Sequence, residues 1–144
     1  MTADAGPIVY VDRSTVRPGK HAELQRAIGA LAALVESNEP QILAYTAFLD
    51  ADGATLTVIH VHADAASLER HFDVVASALP PFAELLEVRS MDIYGQPTEA
   101  TLARLHEKGA MLGGLREILG RSFHNVELET VAGTAVFVAT DPVR

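Results

Sequence analysis

The sequence predicts an α+β fold: a four-stranded antiparallel sheet threaded βαββαβ, with both helices on one face. Three observations predict it. Short apolar runs bounded by turn residues alternate with two longer stretches in which apolar residues recur at helical spacing. An Asp52-Gly53 pair joins two adjacent runs as a tight hairpin would. Prolines stand where each helical stretch must begin or stop.

The first strand is read at Ile8–Arg13, where Ile8, Val9, Tyr10 and Val11 alternate between faces. Pro18 and Gly19 turn the chain into a helix from Lys20 to Ser37. Along it Leu24, Ala27, Ile28, Leu31, Leu34 and Val35 form one stripe, and Pro40 cannot continue the hydrogen-bond ladder. Strands at Ile42–Leu49 and Thr55–His62 follow. Asp64 is a natural N-cap for a second helix reaching about Leu79, with Leu68, Phe72 and Val75 on one side. Pro80 and Pro81 stop it, and a strand at Val88–Tyr94 completes the ferredoxin-like order.

Beyond this unit, read as residues 1–97, an extension over 98–144 packs on the same domain. Thr98 caps a third helix through Leu102, Leu105 and His106, weakened by Gly109, Gly113 and Gly114. The tail reads as a strand, an Ala132-Gly133 turn and a strand.

Composition narrows the function. A chain of 144 residues buries about 68–70% of its unfolded surface and needs no disulfide or metal to fold. Without cysteine, thiolate metal sites, iron–sulfur clusters and thiol nucleophiles are excluded. The net charge of −8 and the lack of a basic stripe argue against nucleic acid and acidic membrane surfaces as partners. The N-terminus has no basic region followed by an apolar run, and no apolar run approaches a membrane span. A soluble, cytoplasmic protein is expected.

The strands carry apolar residues on both faces. Leu56 and Val58 oppose Ile59 and Val61, and Ile42, Ala44 and Phe48 oppose Leu43, Tyr45, Ala47 and Leu49. Helices on one face leave the other uncovered, and exposed apolar patches beyond about 300–600 Å² are rare in monomers. A second copy of the sheet, forming a homodimer, is the expected cover; the C-terminal segment folding back is the alternative.

With this order of elements, "VRPGKHAEL" opening the first helix and "HADAASLERHF" opening the second, the chain resembles the antibiotic biosynthesis monooxygenase family over about residues 7–95. The resemblance implies a dimeric α+β barrel, a small homodimer with its pocket between sheet and helices. It also implies, for some relatives, oxidation of quinols or phenolic polyketides by O₂ without bound metal or flavin. Other relatives degrade haem with the help of a large aromatic residue near the end of the third strand. Here there is no tryptophan.

Candidate site residues come from the histidines and tyrosines. His60 and His62 are two apart on a strand and share a face. Such a pair can serve a metal only with a third ligand, which His71 could supply. Lacking HExxH or cysteine, the pair is read as strand-end histidines, partly exposed, with no metal. His71 lies at the edge of the second helix's apolar stripe, facing the sheet. With an ordinary pKa near 6.5 it can take a phenolic proton at neutral pH. Tyr45, Tyr94, His60, His62 and Asp92 are expected to bind substrate; Tyr10 has the same ring on another strand. His21, His106 and His124 read as surface residues.

Two functions of different class follow. One is a monooxygenase needing no cofactor, acting on a quinol or polycyclic phenol with His71 as base, in a pocket of roughly 300–1,000 Å³. The other is a non-catalytic dimer binding a small aromatic or apolar molecule. An isomerase or cyclase using His71 with Asp92 is a third possibility.

Overall fold

The computed structural model describes residues 6–113, 119–121, 123–131 and 134–142, with side chains through Gly113. Its strands are β1 (Ile8–Val16), β2 (Ala44–Leu49), β3 (Thr55–His62), β4 (Leu86–Tyr94), β5 (Leu119–Arg121), β6 (Phe123–Val131) and β7 (Thr134–Pro142). The helices are α1 (His21–Asn38), α2 (Ala65–Val75) and α3 (Glu99–Gly113). β1 to β4 form the expected antiparallel sheet in the order β2-β3-β1-β4, which is the ferredoxin-like arrangement.

β1 runs three residues past the expected Arg13. Its pairing with β4 continues beyond a register shift at Arg13/Ser14, so Thr15 and Val16 still find partners. α2 stops at Val75, short of Leu79. Ala78 and Leu79 bond back to the Val75 carbonyl, and the proline pair then forms a separate 3₁₀ turn at Pro80–Glu84. β5, a three-residue strand parallel to β4, was not expected; so short a segment has no readable alternation. The expected C-terminal hairpin exists as β6 and β7, a two-stranded sheet of its own, with the Ala132-Gly133 turn outside the described residues.

Alternation along β1 and β3 decides what lies under the helices. Ile8, Tyr10, Asp12, Ser14 and Val16 of β1 are buried, as are Leu56, Val58, His60 and His62 of β3. Facing them, α1 buries Leu24, Leu31 and Val35, and α2 buries Leu68, His71, Phe72 and Val75. Asp64 caps α2 as expected, its Oδ1 accepting from the Ser67 amide at 2.8 Å. Thr98 caps α3, its Oγ1 accepting from the Thr101 amide at 3.1 Å.

α3 docks on α2 through specific polar contacts. The Thr101 hydroxyl donates to Glu69, Arg104 pairs with Asp73 at 2.8 Å, and the same guanidinium lies 5.2 Å over the Phe72 ring. At its end Gly113 meets β4 closely: a Cβ there would sit 2.7 Å from the Val88 nitrogen and 2.8 Å from its oxygen.

The opposite sheet face carries Val9, Val11, Ile59 and Val61, all only part-buried. At the edge strand Phe48 is 53% exposed, and Leu43 just before it is 49% exposed.

Because the Gly113 contact is backbone against backbone, Gly113→Ala should destabilise the fold by about 1–3 kcal/mol. A thermal melt reads this, and an unchanged midpoint would contradict the close packing.

Candidate functional site

The inward alternation of three neighbouring strands places Tyr10, His60 and Tyr45 in one row, because His60 pairs directly with both tyrosines. Tyr10 stacks on the His60 imidazole at 4.2 Å, and Tyr45 meets it edge-on at 4.9 Å. One pleat along β3, His62 points to the same side. His71 comes down from α2, its ring 5.0 Å from that of His60 and 5.4 Å from that of His62. The three histidines each offer a ring nitrogen, and these atoms lie within 4.8 Å of one another.

Each imidazole is held by a different oxygen. Asp12 Oδ2 lies 3.3 Å from His60 Nε2, Glu39 Oε2 lies 2.8 Å from His71 Nδ1, and Ser67 Oγ lies 2.9 Å from His62 Nδ1. A carboxylate only accepts, so His60 and His71 donate through those nitrogens. In the neutral imidazole of each, the lone pair falls on His60 Nδ1 and His71 Nε2. His60 Nδ1 and His62 Nε2 are buried and have no hydrogen-bond partner among the described residues.

Charge is balanced locally. Lys108, arriving from α3, bonds to Asp12 Oδ2 at 3.0 Å and to the Tyr10 hydroxyl at 2.6 Å. Burial by itself would raise the Asp12 carboxyl. The Lys108 charge and the His60 hydrogen bond outweigh it and hold the group well below the ordinary carboxylate range. Burial pushes His60 down to about 3, outweighing the hydrogen bond and charge of Asp12, which act in the opposite direction. Burial and the neighbouring His71 push His62 down to about 3. Tyr10 and Tyr45 are driven up by burial first and by the Asp12 charge second, so both remain protonated phenols.

The structure corrects several expectations. His60 and His62 are not partly exposed strand-end residues; they are 1% and 0% exposed. His71, also buried, faces the sheet as expected, and Tyr45 joins it at a ring distance of 5.4 Å. Asp92 and Tyr94 do not. They pair with Val11 and Val9, on the far side of the sheet, and Asp92 bonds to Arg13 there at 3.2 Å. The bulge in the β1–β4 ladder and the unknown register concealed this. An Asp92–His71 acid–base pair is therefore not formed.

Asp12, Glu39, Ser67 and Lys108 escaped the sequence reading. Asp12 carried a signal, a carboxylate at the centre of an apolar strand. Glu39, beyond the last turn of α1, looked like an ordinary helix end. The chamber bordered by Asp12, Ser14, Tyr45, His60, His71 and Lys108 measures only about 30 Å³, far below the volume expected for a pocket. A larger groove of about 420 Å³ lies outside it, between α1 and β2, and is edged by Glu39 and Tyr45.

A neutral imidazole buried this way has a consequence for acid stability. The unfolded histidines take up protons below about pH 6.5, whereas His60 and His62 resist until about pH 3. Their stabilisation is complete above pH 7 and declines as pH falls, by about 1.4 kcal/mol per pH unit for each histidine between pH 6 and 4. Denaturant titrations across that range check this; a flat profile would contradict it. Lys108→Met, leaving Asp12 without its cation, should cost about 3–5 kcal/mol in the same assay.

No family model matches the chain, and no curated protein matches it in sequence. Solved structures do. MupZ from Pseudomonas fluorescens shares 18% identity, with a TM-score of 0.56 over 80% of this chain and 88% of its own. A candidate antibiotic biosynthesis monooxygenase from Caulobacter crescentus shares 26% identity, with a TM-score of 0.54 over 62% of this chain and 86% of its own. A variant of SnoaB, a cofactor-independent oxygenase from Streptomyces nogalater, shares 20% identity, with a TM-score of 0.54 over 62% and 91%. Among the described residues no helix is long and apolar enough to cross a membrane. The chain has the ferredoxin-like α+β fold of these structures and resembles the antibiotic biosynthesis monooxygenases among them.

Proposed function

We propose that the protein oxidises a small quinol or fused-ring phenol with O₂, and that His71 is the base that ionises it. The observation that carries this reading is the buried His71–Glu39 pair at 2.8 Å. Glu39 fixes the Nδ1–H tautomer and leaves the Nε2 lone pair available for a proton. A histidine bonded instead to a backbone carbonyl would favour a passive binding protein. The C. crescentus and S. nogalater neighbours, named as oxygenases, add weight to the same reading.

In such a reaction the substrate supplies the electrons. Loss of the phenolic proton to His71 gives an electron-rich anion that reduces O₂ and forms a carbon–oxygen bond at an activated ring CH₂. The resulting hydroperoxide loses water to leave C=O. One oxygen atom is retained in the product, and the other leaves as water with the two hydrogens removed. The chain's own contributions are placement, deprotonation and exclusion of water. The groove between α1 and β2, of about 420 Å³, falls in the range of small-molecule sites, and Tyr45 borders both it and the chamber. Displacement of the Tyr45 ring would open the way to His71.

The part-buried apolar sheet face also supports a homodimer in this reading, with two copies packing sheet to sheet.

Oxygen uptake with a panel of quinols and hydroxylated anthrones tests the activity. His71→Ala should lower turnover by about 10²–10⁴-fold with the fold retained by circular dichroism. Glu39→Gln should produce a smaller loss in the same direction. Full activity in His71→Ala would end the assignment. Separately, Ile59→Glu should convert a dimer to a folded monomer in sedimentation equilibrium. A wild-type chain that is already monomeric would remove the dimer.

A further inference from the structure

We infer that His60, His62 and His71 form a binding site for one divalent first-row transition-metal ion, in addition to their place in the proposed oxidation. Three imidazoles from β3 and α2 converge with their offered nitrogens within 4.8 Å of one another, and all three residues are buried. A site of this kind needs ligands that are neutral, correctly turned and supported from behind. The orientation of the rings and their support from behind are seen directly.

Orientation comes first. Asp12 and Glu39 hold the outward nitrogens of His60 and His71, and Ser67 holds that of His62. Carboxylate–histidine pairs of this form fix the tautomer and raise the basicity of the nitrogen facing the metal. The second condition concerns the inward atoms. His60 Nδ1 and His62 Nε2 are buried polar atoms without a hydrogen-bond partner among the described residues. Leaving such a group unsatisfied costs about 1–3 kcal/mol. A purely structural cluster would be expected to pair them, whereas a ligand set leaves them open. Third, among the described residues two buried carboxylates, Asp12 and Glu39, and one ammonium, Lys108, bond to the rings or to their partners, a balance that favours an added cation.

The donor set defines the class of ion. Nitrogen ligands alone suit zinc, cobalt, nickel, copper(II) or iron(II), and not the oxygen-seeking calcium and magnesium. A tetrahedral ion with bonds of about 2.0–2.1 Å draws its nitrogens to about 3.4 Å apart, so binding tightens the cluster slightly. Three protein ligands leave a further position for water, and the chamber of about 30 Å³ that His60 and His71 border has room for a water molecule.

An ion at this site takes the His71 lone pair used in the proposed oxidation, so ion and phenolic proton compete for one atom. The inference does not depend on that activity. Binding and oxygen uptake are separate measurements, and either can fail alone.

The test uses the full chain, stripped by dialysis against a chelator and titrated with Zn²⁺ by calorimetry. One ion per chain is expected, with a rise in the thermal midpoint. X-ray absorption at the zinc edge should show a nitrogen and oxygen shell with imidazole scattering. His62→Gln and His71→Gln should each weaken binding at least tenfold, and Ser67→Ala by about 10–100-fold. His21→Gln and His106→Gln, on exposed residues, should bind as wild type. No stoichiometric binding by the wild-type chain would overturn the inference. So would absence of the imidazole signature, or unchanged binding in the triple His60→Gln, His62→Gln, His71→Gln variant. The absorption measurement on wild type decides the matter even if the variants fold poorly.

Discussion

A carboxylate at the middle of the central strand, Asp12, must be kept charged beneath two helices, and much of the molecule is arranged around that requirement. Its burial is tolerable because Lys108 and His60 both bond to the same oxygen. Lys108 comes from α3, outside the βαββαβ unit, so the extension closes the charge balance of the core. The Glu69, Asp73 and Phe72 contacts that dock α3 on α2 are what bring this ammonium to within 3.0 Å of Asp12. Stability and site geometry are therefore joined through one ion pair.

From that pair the order spreads outward across the sheet. Asp12 fixes the His60 tautomer, and Tyr10 and Tyr45 enclose the ring from either side. Glu39 performs the corresponding task for His71 from the opposite wall, and Ser67 for His62. Burial keeps His60 and His62 neutral at physiological pH, which is the condition both for accepting a proton nearby and for ligating a cation. Such a chamber is small, and Tyr45 borders both it and the larger groove outside it, which Glu39 also edges. The groove and the histidine chamber are thus adjoining spaces with the Tyr45 ring at the border of both.

The far side of the sheet has a different character. Val9, Val11, Ile59 and Val61 form an apolar surface crossed by the Arg13–Asp92 pair. Nothing there resembles the polar groups under the helices. A surface of that type is suited to packing against another apolar face.

Periodicity, turn chemistry and capping were enough to write the βαββαβ order from the chain alone. They depend on neighbours a few residues apart: Asp52-Gly53 makes its hairpin, Asp64 its cap, and the α1 stripe its buried face, wherever the rest of the protein lies. His71 could be aimed at the sheet for the same reason, since its spacing from Leu68 and Val75 fixes its side of the helix. Register, by contrast, is a relation between distant strands. Only tertiary structure decided that His60 meets Tyr10 and Tyr45, and that Asp92 and Tyr94 face away from the site. It alone delivered Lys108 to Asp12 and Glu39 to His71, across separations of 96 and 32 residues. A single-residue slip exchanges the faces of a strand, so a string of residues that predicts the strand still leaves open which of its side chains will carry the chemistry.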